Sequence, residues 1–373
     1  MASYRYRLNY LAGKKYCKMK KHAIIPIFIP HRGCPHDCVF CNQRKITART
    51  EYVTPDDARS IIDTWLTTLR PSVPEKGTAL HEKNIVEAAF YGGSFTGLEI
   101  EEQSAFLEVT YEYKMKGLID KVHLSTRPDY IDREILDNLK KYSVDTIELG
   151  VQSFDDEVLK KSNRGHSSED VYKAVSLIQE YGFELGIQLM IGLPGDSAET
   201  CIMSARETAA IRPSLARLYP TIVLDDTELL EMYRRGEYTP LSREEAVRIT
   251  AEMYKILDDA GITIMRVGLK STEIIGEGGA INGGTYHPAF RQLVEGEIAK
   301  ERIEPLLREI CIDNDPSEPC SVTVCANNLW FPNMIGHKAC NRKYFAGMFP
   351  DADISYKADN SLGNGQFTVV LND

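Results

Sequence analysis

From residue 24 the chain alternates short runs rich in β-branched and aromatic residues with longer stretches whose apolar positions recur at helical spacing. That alternation is the signature of repeated βα units around a parallel sheet. It predicts strands at 24–29, 86–91, 121–126, 146–151, 185–191 and 215–219. Six such units make an α/β fold, a partial (β/α)6 barrel. Helix starts are legible between the strands: Thr54-Pro55-Asp56-Asp57 offers a capping hydroxyl and a proline that loses no needed N–H, and Asp196-Ser197 opens another helix after Leu193-Pro194-Gly195. Loops joining strand ends to helix starts share one rim, and in parallel barrels ligands sit there.

Beyond a helix expected at 243–260, a Gly-rich stretch runs through Gly276, Gly278, Gly279, Gly283 and Gly284. A helical pattern follows at 288–310, then an apolar run at 321–324, a helix near 338–346 and a strand at 367–371. The expected division is a basic arm at 1–21, a barrel at 22–300 and a small C-terminal α/β extension at 301–373, packed on the barrel.

Composition adds a class. With 43% hydrophobic and 26% charged residues, the chain is an ordinary globular protein. It has no apolar stretch near the roughly 20 residues a membrane helix needs, and its Lys/Arg-rich start has no apolar signal core. No membrane partner and a cytoplasmic location are expected. Nine cysteines scattered without a secretory signal read as reduced thiols available for metal rather than as a disulfide framework.

The net charge of −10 is unevenly spread: residues 1–50 carry eleven Lys/Arg against the single acid Asp37. Tyr4, Tyr6, Tyr10 and Tyr16 alternate there with Arg5, Arg7, Lys14, Lys15 and Lys18, a mixture suited to phosphate contact and base stacking. A solvated leader, or an extension ahead of a start at Met19, are the other readings.

Directly after the first predicted strand comes His31-Arg32-Gly33-Cys34-Pro35-His36-Asp37-Cys38-Val39-Phe40-Cys41. Cys34, Cys38 and Cys41 bring three soft thiolates within eight residues, enough for three corners of a four-iron cluster. The fourth iron stays open to a small molecule. A zinc knuckle using His31 or His36 is the alternative. The next strand ends in Tyr91-Gly92-Gly93-Ser94, where two glycines admit a ligand against backbone carbonyls, as an ammonium group requires. Later strands deliver Ser125 and Arg127, then Gln152, then Gln188 and Met190, with Arg164 and His166 in a following loop.

The spacing Cys-x-x-x-Cys-x-Phe-Cys resembles the signature of the radical S-adenosylmethionine superfamily. That resemblance implies a [4Fe-4S] cluster on Cys34, Cys38 and Cys41 and reductive cleavage of S-adenosylmethionine to a 5′-deoxyadenosyl radical. Phe40 belongs to the same pattern, and Gly92, Gly93 and Ser94 align with the superfamily's Gly-Gly-Glu-type motif, Ser94 replacing the acid. With Ser125, Arg127, Gln152, Arg164, Gln188 and Met190 these form the expected cofactor-binding set.

Adding Thr126-Arg127-Pro128-Asp129, Glu148-Leu149-Gly150-Val151-Gln152-Ser153, Asn163-Arg164-Gly165-His166, Gly192-Leu193-Pro194-Gly195 and Leu218-Tyr219-Pro220-Thr221, residues 22–270 resemble the radical domain of the catalytic subunit of Elongator. Oxygen-independent coproporphyrinogen oxidase is more distantly similar. The resemblance implies wobble-uridine modification of tRNA, with a flavodoxin or ferredoxin as electron donor. No acetyl-CoA phosphate loop is identifiable after residue 270, which puts the acetyl donor and the carboxymethyl product in question. A small-molecule or peptide substrate fits the acidic body, and a redox-sensing cluster is a third reading. Cys311, Cys320, Cys325 and Cys340 lack a tight pair and read as ordinary buried thiols rather than a second cluster, and Cys201, on an expected helix, has no partner in the sequence. Glu273 and His287-Pro288 read equally as turn or site residues.

Overall fold

The computed structural model describes residues 7–10, 22–29, 34, 38–42, 53–70, 85–269, 280–311 and 320–372. They fall into two compact units, Lys20–Pro288 and a second built from Met1–Met19 with Ala289–Asp373. The boundary expected at residue 300 falls inside a helix that begins at Phe290. Strands are numbered along the chain; β1 (Arg7–Tyr10) lies in the second unit.

The larger unit is a seven-stranded parallel sheet: β2 (His22–Ile29), β3 (Ile85–Gly92), β4 (Lys121–Thr126), β5 (Thr146–Gln152), β6 (Glu184–Ile191), β7 (Leu215–Pro220) and β9 (Thr263–Val267), hydrogen-bonded in that order. All six expected strands are present. The seventh, Thr-Ile-Met-Arg-Val, is too short and too broken by polar residues to stand out in the sequence. An antiparallel pair, β8 (Ile222–Leu224) with β10 (Ile281–Gly284), completes the unit's strands among the described residues. Of the expected Gly-rich stretch, residues 276–279 and Glu273 lie outside the described residues.

Helices α1 (Pro55–Leu69), α2 (Ile100–Met115), α3 (Arg133–Lys141), α4 (Asp156–Lys161), α5 (Ser168–Glu180), α6 (Ala198–Ile211), α7 (Glu228–Arg234) and α8 (Arg243–Asp259) connect the strands. Thr54 caps α1 and Ser197 caps α6, each in a reciprocal capping box. Burial alternates along the strands: Ile25, Ile27 and Ile29 of β2 are buried while Ile24, Pro26 and Phe28 are half-buried. Ile187, Leu189 and Ile191 of β6 likewise alternate with half-buried Gln188 and Met190. One face is thus apolar core and the other is a more open face carrying the polar side chains. The sheet is rolled. Arg217 on β7 donates to the Tyr91 hydroxyl on β3 at 2.6 Å, although four strand spacings of a flat sheet would separate them by about 19 Å.

In the second unit, α9 (Phe290–Cys311) accompanies a sheet ordered β1-β13-β11-β12, with β11 (Ser321–Ala326), β12 (Asp353–Ala358) and β13 (Phe367–Leu371). Strands β11 and β12 are parallel; β13 runs antiparallel to β11 and to β1. Between β11 and β12 lie α10 (Phe331–Ile335) and α11 (Cys340–Met348). Part of the expected arm therefore supplies a strand.

Two of the cysteines expected to be buried thiols are not thiols. Cys311 and Cys320 form a disulfide, because the end of α9 and the start of β11 bring their Cα atoms to 5.5 Å, within bridging range. Cys340 is exposed, so of these four only Cys325 is a buried thiol.

Candidate active site

The cysteine loop leaves β2 at the carboxyl rim of the sheet and is pinned by its own backbone. Val39 N–H donates to the Ser162 carbonyl at 3.1 Å, Leu229 N–H donates to the Val39 carbonyl at 2.7 Å, and Asn42 Nδ2 reaches the Asp225 carbonyl at 3.1 Å. Val39 joins Val223, Leu229, Leu230 and Tyr238 in an apolar cluster against which Phe40 packs. The aromatic beside Cys41 thus anchors the loop to α7 and β8. Cys38 is buried, while Cys34 and Cys41 are half-buried. His31 and His36 lie outside the described residues. Among the described residues no His, Cys, Asp or Glu set converges on a single metal ion. In a cubane each thiolate serves a different iron, so the triad needs no such convergence.

Two arginines face the thiols. Arg164 Nη1 contacts Cys38 Sγ at 3.5 Å while its Nη2 donates to the Gly150 carbonyl at 2.6 Å. A Cβ on Gly150 would lie 2.9 Å from that Nη2 and would displace the guanidinium. Arg127, 2% exposed, makes a bidentate pair with Asp129 at 2.9 and 2.7 Å. Burial works against its charge, but Asp129 and the thiols of Cys38 and Cys34 outweigh it and raise the pKa. His166 is driven the other way: burial, then Arg164 and Arg127, lower its pKa to about 3, so the ring is neutral. Among the described residues Arg127 Nη1, Arg164 Nε and His166 Nδ1 are buried without a hydrogen-bond partner.

Beside these groups Gly92 has a φ of +119°, and a Cβ there would lie 2.6 Å from the Ile29 carbonyl oxygen. Gly93 N–H donates to that same carbonyl at 3.0 Å. Gln152, at a register shift between β5 and β6, has a φ of +70° and accepts from Gln188 Nε2 at 3.0 Å. A left-handed glutamine at a strand end is uncommon and marks a locally constrained backbone. Met190 is half-buried on the same face as Gln188.

Ser94 and Ser125 sit differently from the rest of the expected set. Ser94 is fully buried, with its hydroxyl 2.8 Å from Thr126 Oγ1 and accepting from Arg127 N–H at 3.2 Å. It braces the strand end that carries Arg127. Ser125 donates to Glu148 Oε1 at 3.1 Å.

Glu148 belongs to a network only partly foreseen. Its Oε2 lies 2.8 Å from Arg217 Nε and 3.6 Å from His123 Nε2, charge contacts rather than well-aligned hydrogen bonds. His123 Nδ1 is 2.6 Å from Glu87, which also meets His22 Nε2 at 2.7 Å. Burial opposes the charge on His123, yet Glu148 and Glu87 raise its pKa to about 9; against burial, the hydrogen bonds from His123 and His22 hold Glu87 at about 2. The Arg217 guanidinium also lies 4.7 Å above the Tyr91 ring. The signal for Glu87 and Arg217 was present, since each is the one charged residue in an otherwise largely apolar parallel strand; His123 shares its strand with Lys121, Ser125 and Thr126 and stands out less.

The donor chemistry fits an iron–sulfur cluster with an anionic, ammonium-bearing partner: three thiols on a pinned loop, buried cations with free N–H groups, and a glycine turn with no room for a side chain at Gly92. Residues 28–207 match the radical SAM superfamily and residues 213–300 the radical SAM C-terminal domain. The tRNA uridine(34) acetyltransferase of Methanocaldococcus infernus is 30% identical over 266 residues, covering 63% of this chain and 49% of that protein. Human Elongator complex protein 3 is 28% identical over 264 residues, covering 61% and 48%. The chain spans about half the length of these relatives. An N-terminally truncated archaeal Elp3 from Methanocaldococcus infernus superposes with a TM-score of 0.58 at 23% identity, covering 76% of this chain and 64% of that one. The partial-barrel fold, the [4Fe-4S] cluster and S-adenosylmethionine all follow from these matches, and the chain belongs to the radical SAM superfamily of enzymes.

Proposed function

We propose that this chain is a radical SAM enzyme whose substrate is tRNA. What carries the substrate is the similarity, over nearly two thirds of the chain, to proteins named for acting on tRNA uridine 34. The basic, tyrosine-rich segment ahead of β2 adds charge of the right sign to an otherwise acidic protein.

In this reading Cys34, Cys38 and Cys41 ligate the cluster, and Phe40 holds their loop in place. The Gly92 and Gly93 carbonyls accept from the methionine ammonium, while Arg127 and Arg164 offer their free N–H groups to its carboxylate and balance the thiolate charge. Gln152, Gln188 and Met190 line the approach of the adenosyl moiety. Ser94 and Ser125 hold Arg127 and Glu148 rather than ligand. When bound, the cluster and S-adenosylmethionine supply a 5′-deoxyadenosyl radical, and the surrounding side chains exclude water and stray hydrogen donors. The neutral His166 is placed to accept a hydrogen bond at Nδ1. A reduced flavodoxin or ferredoxin in the cytoplasm supplies the electron. No helix among the described residues is long and apolar enough to cross a membrane.

The test compares modified tRNA nucleosides from a deletion strain and its parent, then offers the deletion-strain tRNA to anaerobically reconstituted protein. The expected result is one nucleoside lost in vivo and restored in vitro, with 5′-deoxyadenosine formed alongside. Identical nucleoside profiles, with 5′-deoxyadenosine release stimulated instead by a small-molecule or peptide fraction, would overturn the tRNA reading.

A further inference from the structure

The second unit contains a module that the radical chemistry does not use. Strand β11 leads through α10 and the four-residue turn Gly336-His337-Lys338-Ala339 into α11 and then β12, parallel to β11 and beside it. The turn is tightly specified. Gly336 has a φ of +78°, and a Cβ there would lie 2.6 Å from Cys340 Sγ and 2.8 Å from Asn341 N, so no other residue fits. Lys338 and Ala339 are also left-handed, at φ values of +52° and +59°. Buried Asn341 locks the turn from below, donating to the Gly296 carbonyl at 2.7 Å and the Asn333 carbonyl at 3.1 Å. Nothing in this bracing needs Lys338 itself, which is exposed to solvent.

Charge separates this surface from the rest of the molecule. Residues 321–350 contain Lys338, Arg342 and Lys343 and no acid, within a chain of net charge −10. All three cations are exposed, and none forms an ion pair among the described residues, although other cations of this unit do: Arg291, Lys300 and Arg308 each meet a glutamate at 2.7 Å. Lys338 lies in the turn, and Arg342 and Lys343 lie in the first turn of α11, whose leading N–H groups have no side-chain cap. Cations without ion-pair partners among the described residues, beside a helix start without a side-chain cap, suit a chain of phosphates.

A Gly-x-x-Gly turn joining two helices is also how KH-type units clamp about four nucleotides of a single strand by their backbone. Here Ala339 stands at the fourth position and keeps the left-handed conformation that glycine would adopt.

We propose that the Gly336–Ala339 turn with Arg342 and Lys343 forms a second, independent binding surface for the backbone of single-stranded RNA. The inference deepens the RNA reading above by naming where else such a substrate would be held. It rests on residues outside the barrel, so the two can fail separately.

The test uses the full chain with its cluster loaded, and a short fluorescent single-stranded RNA titrated at several salt concentrations without S-adenosylmethionine. The variant H337D/K338D reverses the charge of the turn and should weaken binding by about tenfold or more, while the slope of log affinity on log salt falls by about 1 for each phosphate no longer neutralised. RNA-independent release of 5′-deoxyadenosine should be unchanged. If H337D/K338D melts early, K338A and R342A carry the test, each expected to weaken binding about threefold through one exposed side chain. Affinities within about twofold of the parent in the folded variants would overturn the proposal, as would equal affinity for duplex RNA. Loss of RNA binding in H337D/K338D would uphold this surface even where the deletion strain keeps every tRNA nucleoside, the result that removes tRNA as the substrate.

Discussion

The interior of the half-barrel and its rim both bury charge, and they balance it differently. Inside, Glu87 and Glu148 face His22, His123 and Arg217 in a closed circuit in which each carboxylate touches a cation. At the rim, Arg127 and Arg164 flank the cysteine loop with Asp129 paired to Arg127, both retain buried N–H groups without acceptors, and burial together with these two cations keeps His166 neutral. The interior circuit sets each carboxylate against a cation at contact distance, although Glu148 Oε2, His123 Nε2 and Arg217 Nε lack well-aligned hydrogen bonds. An open one carries a desolvation cost that thiolates bound to iron and a ligand carboxylate would relieve. Interior residues should therefore govern folding, and rim residues should govern chemistry.

The sharpest break would come at Cys38. Cys38→Ala should abolish the iron–sulfur absorbance and 5′-deoxyadenosine formation, yet shift unfolding stability by only about 1 kcal/mol, read by urea denaturation of the cluster-free protein. A large stability loss would erase the distinction. Glu148→Gln should do the reverse, stranding Arg217 and His123 in the interior at a cost of about 3–5 kcal/mol; a urea midpoint unchanged from the parent would show that the circuit is not structural.

The third prediction concerns pH. His123 has its folded pKa at about 9, above its ordinary value of 6.5, so the stabilisation from its protonated ring is fully present below about 6.5 and lost as pH rises through about 9. His166 has the opposite sign: its folded pKa near 3 means the unfolded chain takes up the proton first, and stability falls as pH drops below about 6.5. Urea midpoints across this range should decline at both ends, and His123→Asn should flatten the alkaline limb alone. The smallest effect is expected at Ser94. Ser94→Ala removes two buried hydrogen bonds and should cost about 1 kcal/mol of stability while leaving S-adenosylmethionine affinity within about twofold. A larger affinity loss would move Ser94 from the scaffold into the ligand shell.

The distribution of what the sequence discloses follows the same physics. Parallel strands buried on one face announce themselves as apolar runs, and all six of the long ones were legible; Thr263–Val267, with Arg266 inside it, was not. The thiol triad was legible because its spacing is local. Arg217 was not assigned a role because its partners Glu148 and Tyr91 lie 69 and 126 positions away, brought near only by the curl of the sheet. Ser94 stands where the superfamily motif carries its acid, and its contacts with Thr126 and Arg127, 32 and 33 positions on, come only from the fold. The disulfide between Cys311 and Cys320 depends on where α9 ends and β11 begins, which cysteine spacing alone does not specify.

Ile29 and Gly92 are opposite partners on the last rung between β2 and β3, where the glycine turn closes against the Ile29 carbonyl. The segment bearing the thiols and the glycine turn consequently depart from a common level. One residue inserted in β2 would displace that exit by about 3.3 Å and invert the faces of the strand. Strand length thus acts as a ruler for the cysteine loop, and tolerance of insertions should end abruptly at Ile29.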